Sequence, residues 1–190
     1  MKHHFHKTLR TFIKSKLKKI FLTAIAVTSL LIYNTTISAE IISLSVGIPI
    51  SHTIADETVA ESDGVSGSFV HAKLPLIPVG LGFESYKTNV KDNAPLKIAT
   101  TMFDVFYLLP IPIINLTIGA GAGSVNIDGG SGFEKGLATQ LYTSVGMPIL
   151  PLFDIHLSYR SVTAKNTKDG NGNKMDLSGN VAGIGLAFTF

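Results

Sequence analysis

The last thirteen residues of the chain, Ser178 to Phe190, alternate between larger apolar and smaller side chains. A period of two is that of a β-strand, because successive side chains of a strand point to opposite faces. The segment therefore predicts a strand with one bulky apolar face, which ends on an aromatic residue. The apolar set is Ala182, Ile184, Leu186, Phe188 and Phe190.

The amino-terminal 39 residues have the pattern of a secretory signal helix. Seven basic residues lie between Lys2 and Lys19, and an apolar run of 13 residues follows, from Ile20 to Ile32. That run is too short for a transmembrane helix, which needs about 20 residues. We expect recognition by an export translocase, cleavage after Ala39, and one mature domain over residues 40–190.

The signal also carries the basic charge of the precursor. All seven charged residues in the first 39 positions are basic, so the mature chain keeps nine Lys and Arg against 13 Asp and Glu, a net charge of −4. We therefore expect no nucleic-acid partner. The chain has no Cys, and no phosphate-binding loop or metal-binding cluster stands out, so no cofactor is expected.

Eight segments of the mature chain alternate with a period of two, and polar loops and short proline turns connect them in turn. Tyr107 to Ile114, an apolar stretch in the middle, is interrupted by Pro110 and Pro112 and predicts no membrane helix. The fold prediction is all-β: an eight-stranded antiparallel up-and-down transmembrane β-barrel, preceded by the signal helix. A soluble barrel or sandwich would share the period, but the signal, the terminal Phe and the nearly uncharged outward faces favour the membrane. The predicted polar loops are His52 to Ser66, Lys87 to Lys97, Asp128 to Gly132 and a loop through Asp176.

Over its mature length the chain resembles the small eight-stranded bacterial outer-membrane proteins, the class of the OmpA membrane domain and the OmpW-type barrels. The eight-segment pattern and the terminal Phe carry the resemblance. It implies the outer membrane of a Gram-negative-type bacterium, contact with outer-membrane lipid, and an assembly signal read by the barrel-assembly machinery. The residues that match this signal are Ile184, Leu186, Phe188 and Phe190.

The faces predicted to point inward are rich in polar and ionisable groups. The interior of an eight-stranded barrel is just wide enough for side chains to fill it, so we expect a packed network of compensated charges. A narrow OmpW-type path for small or apolar solutes is the alternative. The predicted lumen network is His71, Lys73, Glu84, Tyr86, Asp104, Gln140, Tyr142, His156 and Arg160.

Two patterns suggest chemistry that the overall interpretation does not adopt. Asp154, His156 and Ser158 share one strand face, and His156-Leu-Ser158 resembles an element of outer-membrane lipid A deacylases, although Tyr159 departs from that family. Asp169 to Asp176 begins like a calcium loop, but a Gly and Asn hairpin turn explains the same residues. We predict a non-enzymatic structural or surface-interaction protein without a metal site.

The predicted first loop is acidic, with charged residues from Asp56 to Asp63. Outer loops must be hydrated, and this requirement accounts for the charges. Adhesion, or binding of a cationic partner, is the alternative interpretation.

Overall fold

The computed structural model describes residues 42–56, 60–74, 79–91, 96–111, 114–150 and 152–189. The predicted signal, its cleavage site and Phe190 lie outside the described residues. Within the described part, no helix has the length and apolar character needed to cross a membrane.

Eight long strands form a closed antiparallel barrel in which chain neighbours pair and the last strand pairs with the first. This confirms the predicted eight-stranded barrel. Two short strands form a hairpin outside the barrel wall. In chain order the strands are β1 Ser43–Ile54, β2 Ser62–Lys73, β3 Val79–Val90, β4 Lys97–Ile111, β5 Ile114–Asp128, β6 Gly136–Leu150, β7 Phe153–Thr163, β8 Thr167–Lys168, β9 Lys174–Met175 and β10 Gly179–Thr189.

The period-two pattern separates an apolar outer face from the lumen. In β3, Leu81 and Phe83 are exposed, whereas Gly82, Glu84 and Tyr86 between them are buried. The other barrel strands follow the same alternation in their central parts, and leucine, isoleucine, valine and phenylalanine side chains cover the outside. Such an outer face is the one that lipid requires of a membrane barrel.

The two ends of the barrel differ. Both termini of the barrel domain and the three short connections, β2–β3, β4–β5 and β6–β7, lie at one end, called here the turn end. The longer connections β1–β2, β3–β4, β5–β6 and β7–β10 lie at the opposite, loop end. The hairpin of β8 and β9 belongs to the last of these connections.

The strands run further toward the loop end than the sequence predicted. β1 continues to Ile54 and β2 begins at Ser62, so the predicted loop from His52 to Ser66 is wrong at both of its ends. A β-bulge between Pro49 and Ser51 explains the error at the β1 end. The bulge shifts the alternation by one residue, so that Ile50 and Ser51 both face outward and His52 and Ile54 point inward. The predicted loop from Lys87 to Lys97 is likewise too long, since β3 reaches Val90 and β4 begins at Lys97.

An apolar core fills the barrel at the loop end. Its members come from the barrel strands and from the last connection, and all are nearly inaccessible to solvent. They include Ile54, Ile98, Val125, Ile127, Val162, Ala164, Leu177 and Val181. The sequence interpretation had no counterpart for this core, because several members lie in segments predicted as loops.

The wall between β1 and β2 is paired only near the turn end. Their ladder joins Ser43–Gly47 to residues 69–73, and no described register joins residues 48–54 to 62–68. Outward side chains in this part include the apolar Ile48 and Ile50 as well as the polar Ser51, Ser66 and Ser68, and all of them are exposed. The outer surface therefore changes from apolar to polar along this part of the wall.

Candidate functional site

The strand registers bring three of the predicted inward residues, His71, Asp104 and Gln140, into one row around the lumen. His71 on β2 lies opposite Gly82 on β3, and Gly82 lies opposite Asp104 on β4. The row continues through Gly121 on β5 to Gln140 on β6. Polar side chains and glycines thus alternate around the wall, which leaves each side chain room to reach into the lumen.

Arg160 and Glu84 form the centre of this layer. The Arg160 Nε donates to Glu84 Oε1 at 2.8 Å and to Oε2 at 2.7 Å, and Arg160 Nη2 lies 2.7 Å from Oε1. The side chains are 1% and 0% exposed. A buried charge of this kind requires a partner, and each residue supplies it for the other.

Gln140 links the carboxylate of Asp104 to the Arg160–Glu84 pair. Its Nε2 donates to Glu84 Oε2 at 3.0 Å and to Asp104 Oδ1 at 2.6 Å. His71 approaches from the other wall, with Nε2 3.2 Å from Glu84 Oε1. Five of the predicted lumen residues therefore form one connected cluster.

Aromatic rings surround the cluster and hold the Arg160 guanidinium in place. Its Cζ lies 3.6 Å from the centroid of the Phe69 ring and 5.5 Å from that of Tyr142. Tyr86 packs edge-on against Phe69, with ring centroids 6.0 Å apart. The faces of the Phe69 and Tyr142 rings therefore lie within cation–π distance of the guanidinium charge.

Glycines provide the space that the large side chains occupy. A Cβ at Gly82 would lie 2.9 Å from His71 Nε2 and 3.1 Å from the Asp104 Cβ, and a Cβ at Gly121 would collide with the Asp104 carboxylate. Inward positions of small barrels commonly alternate small and large residues in this way. The glycines are visible in the sequence, but the strand register is needed to tell which large side chain each one accommodates.

A cavity of about 90 Å³ occupies the lumen between the cluster and the turn end. Its walls are rich in hydroxyl groups, and His71, Tyr142 and Arg160 also line it. Lys73 and His156, two further predicted lumen residues, line the cavity rather than the central cluster. His156 Nε2 lies 3.3 Å from the Ser45 hydroxyl oxygen.

Sequence reasoning missed one lumen residue, His52, and placed a second, Ser158, on the inward face without including it in the polar network. His52, assigned to a loop, is buried and shares a 2.7 Å hydrogen bond between Nδ1 and the Thr88 hydroxyl. Ser158 accepts a 2.7 Å hydrogen bond from Arg160 Nη1 and so fixes the far side of the guanidinium. The bulge in β1 hid the first, whereas the spacing of two between Ser158 and Arg160 was a usable signal for the second.

The three residues that suggested nucleophilic catalysis each have a partner elsewhere. The Asp154 carboxylate accepts a hydrogen bond from the Asn115 amide, His156 is next to Ser45, and Ser158 accepts from Arg160. Among the described residues, no hydrogen bond links any of the three to another. Their common strand face is thus explained by lumen packing.

The segment that resembled a calcium loop forms the turn of the β8–β9 hairpin. The Asp169 Oδ1 accepts hydrogen bonds from the backbone N–H groups of Asn171 and Asn173, and the Asn173 side chain donates to Oδ2. Gly172 takes a left-handed backbone conformation with φ of 83°. Hydrogen bonds from the Asn173 side chain and then its backbone hold the pKa of Asp169 below its usual value.

The predicted assembly signal lies on the outer face of β10. Ile184 and Leu186 are exposed, and the Phe188 ring packs on Phe153 with centroids 5.0 Å apart. The described members of the set therefore point away from the lumen. Its functional use as a signal stays a prediction.

Comparison with known proteins finds likeness in structure alone. No protein-family model matches the chain, and no curated protein matches it. Neisserial surface protein A superposes with a TM-score of 0.57 at 11% identity, over 78% of this chain and 96% of that chain. The chain has the fold of the small eight-stranded outer-membrane barrels.

Two further barrels of this fold give similar agreement. A major outer membrane protein from Thermus thermophilus has a TM-score of 0.51 at 12% identity, over 78% of this chain and 98% of its own. Outer membrane protein W from E. coli has a TM-score of 0.51 at 12% identity, over 82% of this chain and 100% of its own. The resemblance stated from the sequence is confirmed at the level of the fold.

Proposed function

We propose that the chain is a non-enzymatic β-barrel protein of the outer membrane, with a structural role and a surface-interaction role for its loops. The observation that carries the proposal is the combination of an apolar outer wall with a filled lumen. Arg160 and Glu84 span the lumen in the central layer, and the apolar core that includes Ile98 and Leu177 fills the loop end. A wall of this kind suits lipid, and a filled interior suits a scaffold rather than a wide pore.

The proposal assigns an orientation and partners. In outer-membrane barrels the short turns face the periplasm and the longer loops face outward. On that basis the turn end and its cavity face the periplasm, and the loop end faces the outside. The proposed partners are outer-membrane lipid along the outer wall, the barrel-assembly machinery at β10 and the export translocase at the signal.

The second candidate is a narrow path for small or apolar solutes. Two observations favour it: the cavity at the turn end, and the wall between β1 and β2, which is paired only through Ser43–Gly47. Against a continuous path stands the central layer, because its largest side chains are nearly inaccessible. Lipid A deacylation receives less support, since Asp154, His156 and Ser158 each have a separate partner.

Cell fractionation followed by gel migration tests the primary proposal. The protein in purified outer membranes is expected to migrate differently before and after boiling, because a closed barrel resists detergent until it is heated. The matched control is a soluble periplasmic protein in the same gel, which is expected to show no such shift. Recovery of this protein in the soluble periplasmic fraction, with no heat-dependent shift, would contradict the proposal.

A further inference from the structure

Three side chains of metal-binding character converge in the central layer of the lumen. His71, Glu84 and Asp104 each offer one donor atom, and these atoms lie within 4.8 Å of one another. All three side chains are buried. One imidazole nitrogen with two carboxylate oxygens is a donor set suited to divalent transition metals.

The cluster also contains acceptor atoms that the described residues leave unsatisfied. Asp104 Oδ2 and Gln140 Oε1 are inaccessible and receive no hydrogen bond from the described part of the chain. Asp104 is 2% exposed and Gln140 is 3% exposed. Because a bare buried acceptor loses its hydration without compensation, these two oxygens require a hydrogen-bond donor or a cation beside them, and a metal ion would satisfy Asp104 Oδ2.

Charge leads to the same conclusion. Glu84 and Asp104 contribute two carboxylates to the cluster, and Arg160 contributes one permanent cation through its contacts with Glu84. A histidine that binds a metal does so as the neutral imidazole, so the formal charge of the site with both carboxylates ionised would be −1, which favours an added cation.

We propose that His71, Glu84 and Asp104 bind one divalent transition-metal ion, of the Zn²⁺ or Mn²⁺ class, inside the lumen. Asp104 Oδ2 supplies its free lone pairs to the ion, and Gln140 orients both carboxylates through the hydrogen bonds that its Nε2 donates to them. Arg160 keeps its contacts with Glu84 and orients that carboxylate, as outer partners of metal ligands commonly do.

The donor atoms must move closer together to bind one ion. In a tetrahedral site with metal–ligand distances of about 2.1 Å, ligand atoms lie about 3.4 Å apart. The observed limit of 4.8 Å therefore requires a closure of up to about 1.4 Å, which side-chain rotation of His71 and Asp104 would have to supply. His71 and Asp104 flank Gly82, which has no side chain to oppose their approach.

An ion has a route to the cluster from the turn end. The cavity of about 90 Å³ is lined by His71 and Arg160, so it reaches the imidazole that would bind the metal. Its hydroxyl-rich walls suit a hydrated cation on its way inward.

Metal titration of the mature protein tests the site. The untagged chain, residues 40–190, is refolded in detergent micelles and titrated with Zn²⁺ and with Mn²⁺ in a calorimeter. An affinity tag of histidines is avoided because it binds the same ions. We expect one ion per chain for the native protein and at least tenfold weaker binding for His71→Gln and Asp104→Asn. The matched control is His156→Gln, a histidine of the cavity that is expected to leave the affinity unchanged.

A second measurement requires no variant and therefore does not depend on whether substitutions fold. In the NMR spectrum of the native protein, Mn²⁺ should broaden the amide signals of Gly82 and Gly121 before those of Gly170. Absence of stoichiometric binding would overturn the proposal. Unchanged metal affinity in folded His71→Gln would also overturn it. The same holds for Mn²⁺ broadening that begins at the β8–β9 hairpin.

Discussion

Arg160 and Glu84 lie on diametrically opposed strands of the barrel, β7 and β3, with three strands between them on either side. Their charged groups nevertheless meet, with nitrogen–oxygen distances of 2.7–2.8 Å. The pair therefore spans the whole lumen and ties its opposite walls together. It is both the centre of the polar cluster and the layer that closes the interior.

Removing one member of this pair should destabilise the barrel strongly. Glu84→Ala and Arg160→Ala each leave a buried charge without its partner, so we expect the free energy of unfolding to fall by about 3–5 kcal/mol. Urea unfolding in detergent micelles measures the change. Lys87→Ala is the control: it removes an exposed pair with Asp128 at 2.8 Å and is expected to cost less than about 1 kcal/mol. Equal unfolding midpoints for the lumen variants and the native protein would contradict the role of the pair.

Adding a methyl group at Gly82 should also be costly. The new Cβ would press on His71 Nε2 at 2.9 Å and on the Asp104 Cβ at 3.1 Å, where the wall offers no free space. We expect Gly82→Ala to reduce stability by about 1–3 kcal/mol. In Gly170→Ala the nearest atom would be 3.5 Å away, an ordinary contact, and the change should stay within about 0.5 kcal/mol. Similar stabilities for the two variants would show that the lumen is looser than described.

The membrane interpretation predicts a depth-dependent effect of charge on one strand. Leu157 is exposed in the middle of β7 and lies between Val145 and Ile184, whereas Ser161, four residues on, also faces outward but nearer the loop end. In lipid vesicles we expect Leu157→Arg to cost about 2–4 kcal/mol and Ser161→Arg about 0–1 kcal/mol. The comparison uses one substitution on one face, so an equal effect at the two positions would argue against a lipid-facing band.

In the central parts of the strands, the alternation in the sequence was sufficient to predict which side chains point inward. It placed Glu84, Asp104, Gln140 and Arg160 inward, and the structure agrees. It was not sufficient to predict their contacts, because these depend on the strand register and on which strands face each other across the barrel. That Gly82 separates His71 from Asp104 follows from the pairing of three strands, which no local pattern encodes.

The loop end shows a different limit of the sequence pattern. One extra residue in β1 at the bulge shifts the alternation, so His52 turns inward where the unshifted period would turn it outward. The polar composition that follows predicted a loop, although the strand continues because β10 provides a pairing partner through Ile54. Tertiary pairing, rather than local propensity, sets the end of this strand.

The β8–β9 hairpin should respond to acid through Asp169. Hydrogen bonds from Asn173 lower the pKa of this carboxyl in the folded protein below its ordinary value of 3.8. A lowered folded-state pKa means that the stabilisation is present above pH 3.8 and is lost as the pH falls through the lowered value. We expect the protection factors of the Asn171 and Asn173 amides, which correct for the change of the intrinsic exchange rate with pH, to fall on acidification in this range. NMR-detected hydrogen exchange checks this, with Asp169→Ala as the variant that should lose the dependence on pH.

Conductance measurement in planar lipid bilayers tests the closed lumen most directly. The mature protein, residues 40–190, is inserted into the bilayer and recorded in KCl, with a porin in a parallel preparation as the positive control. Because the Arg160–Glu84 layer and the apolar core at the loop end fill the interior, we predict no discrete current steps from correctly folded protein. Reproducible steps whose size rises with the KCl concentration would contradict the account and establish the channel instead.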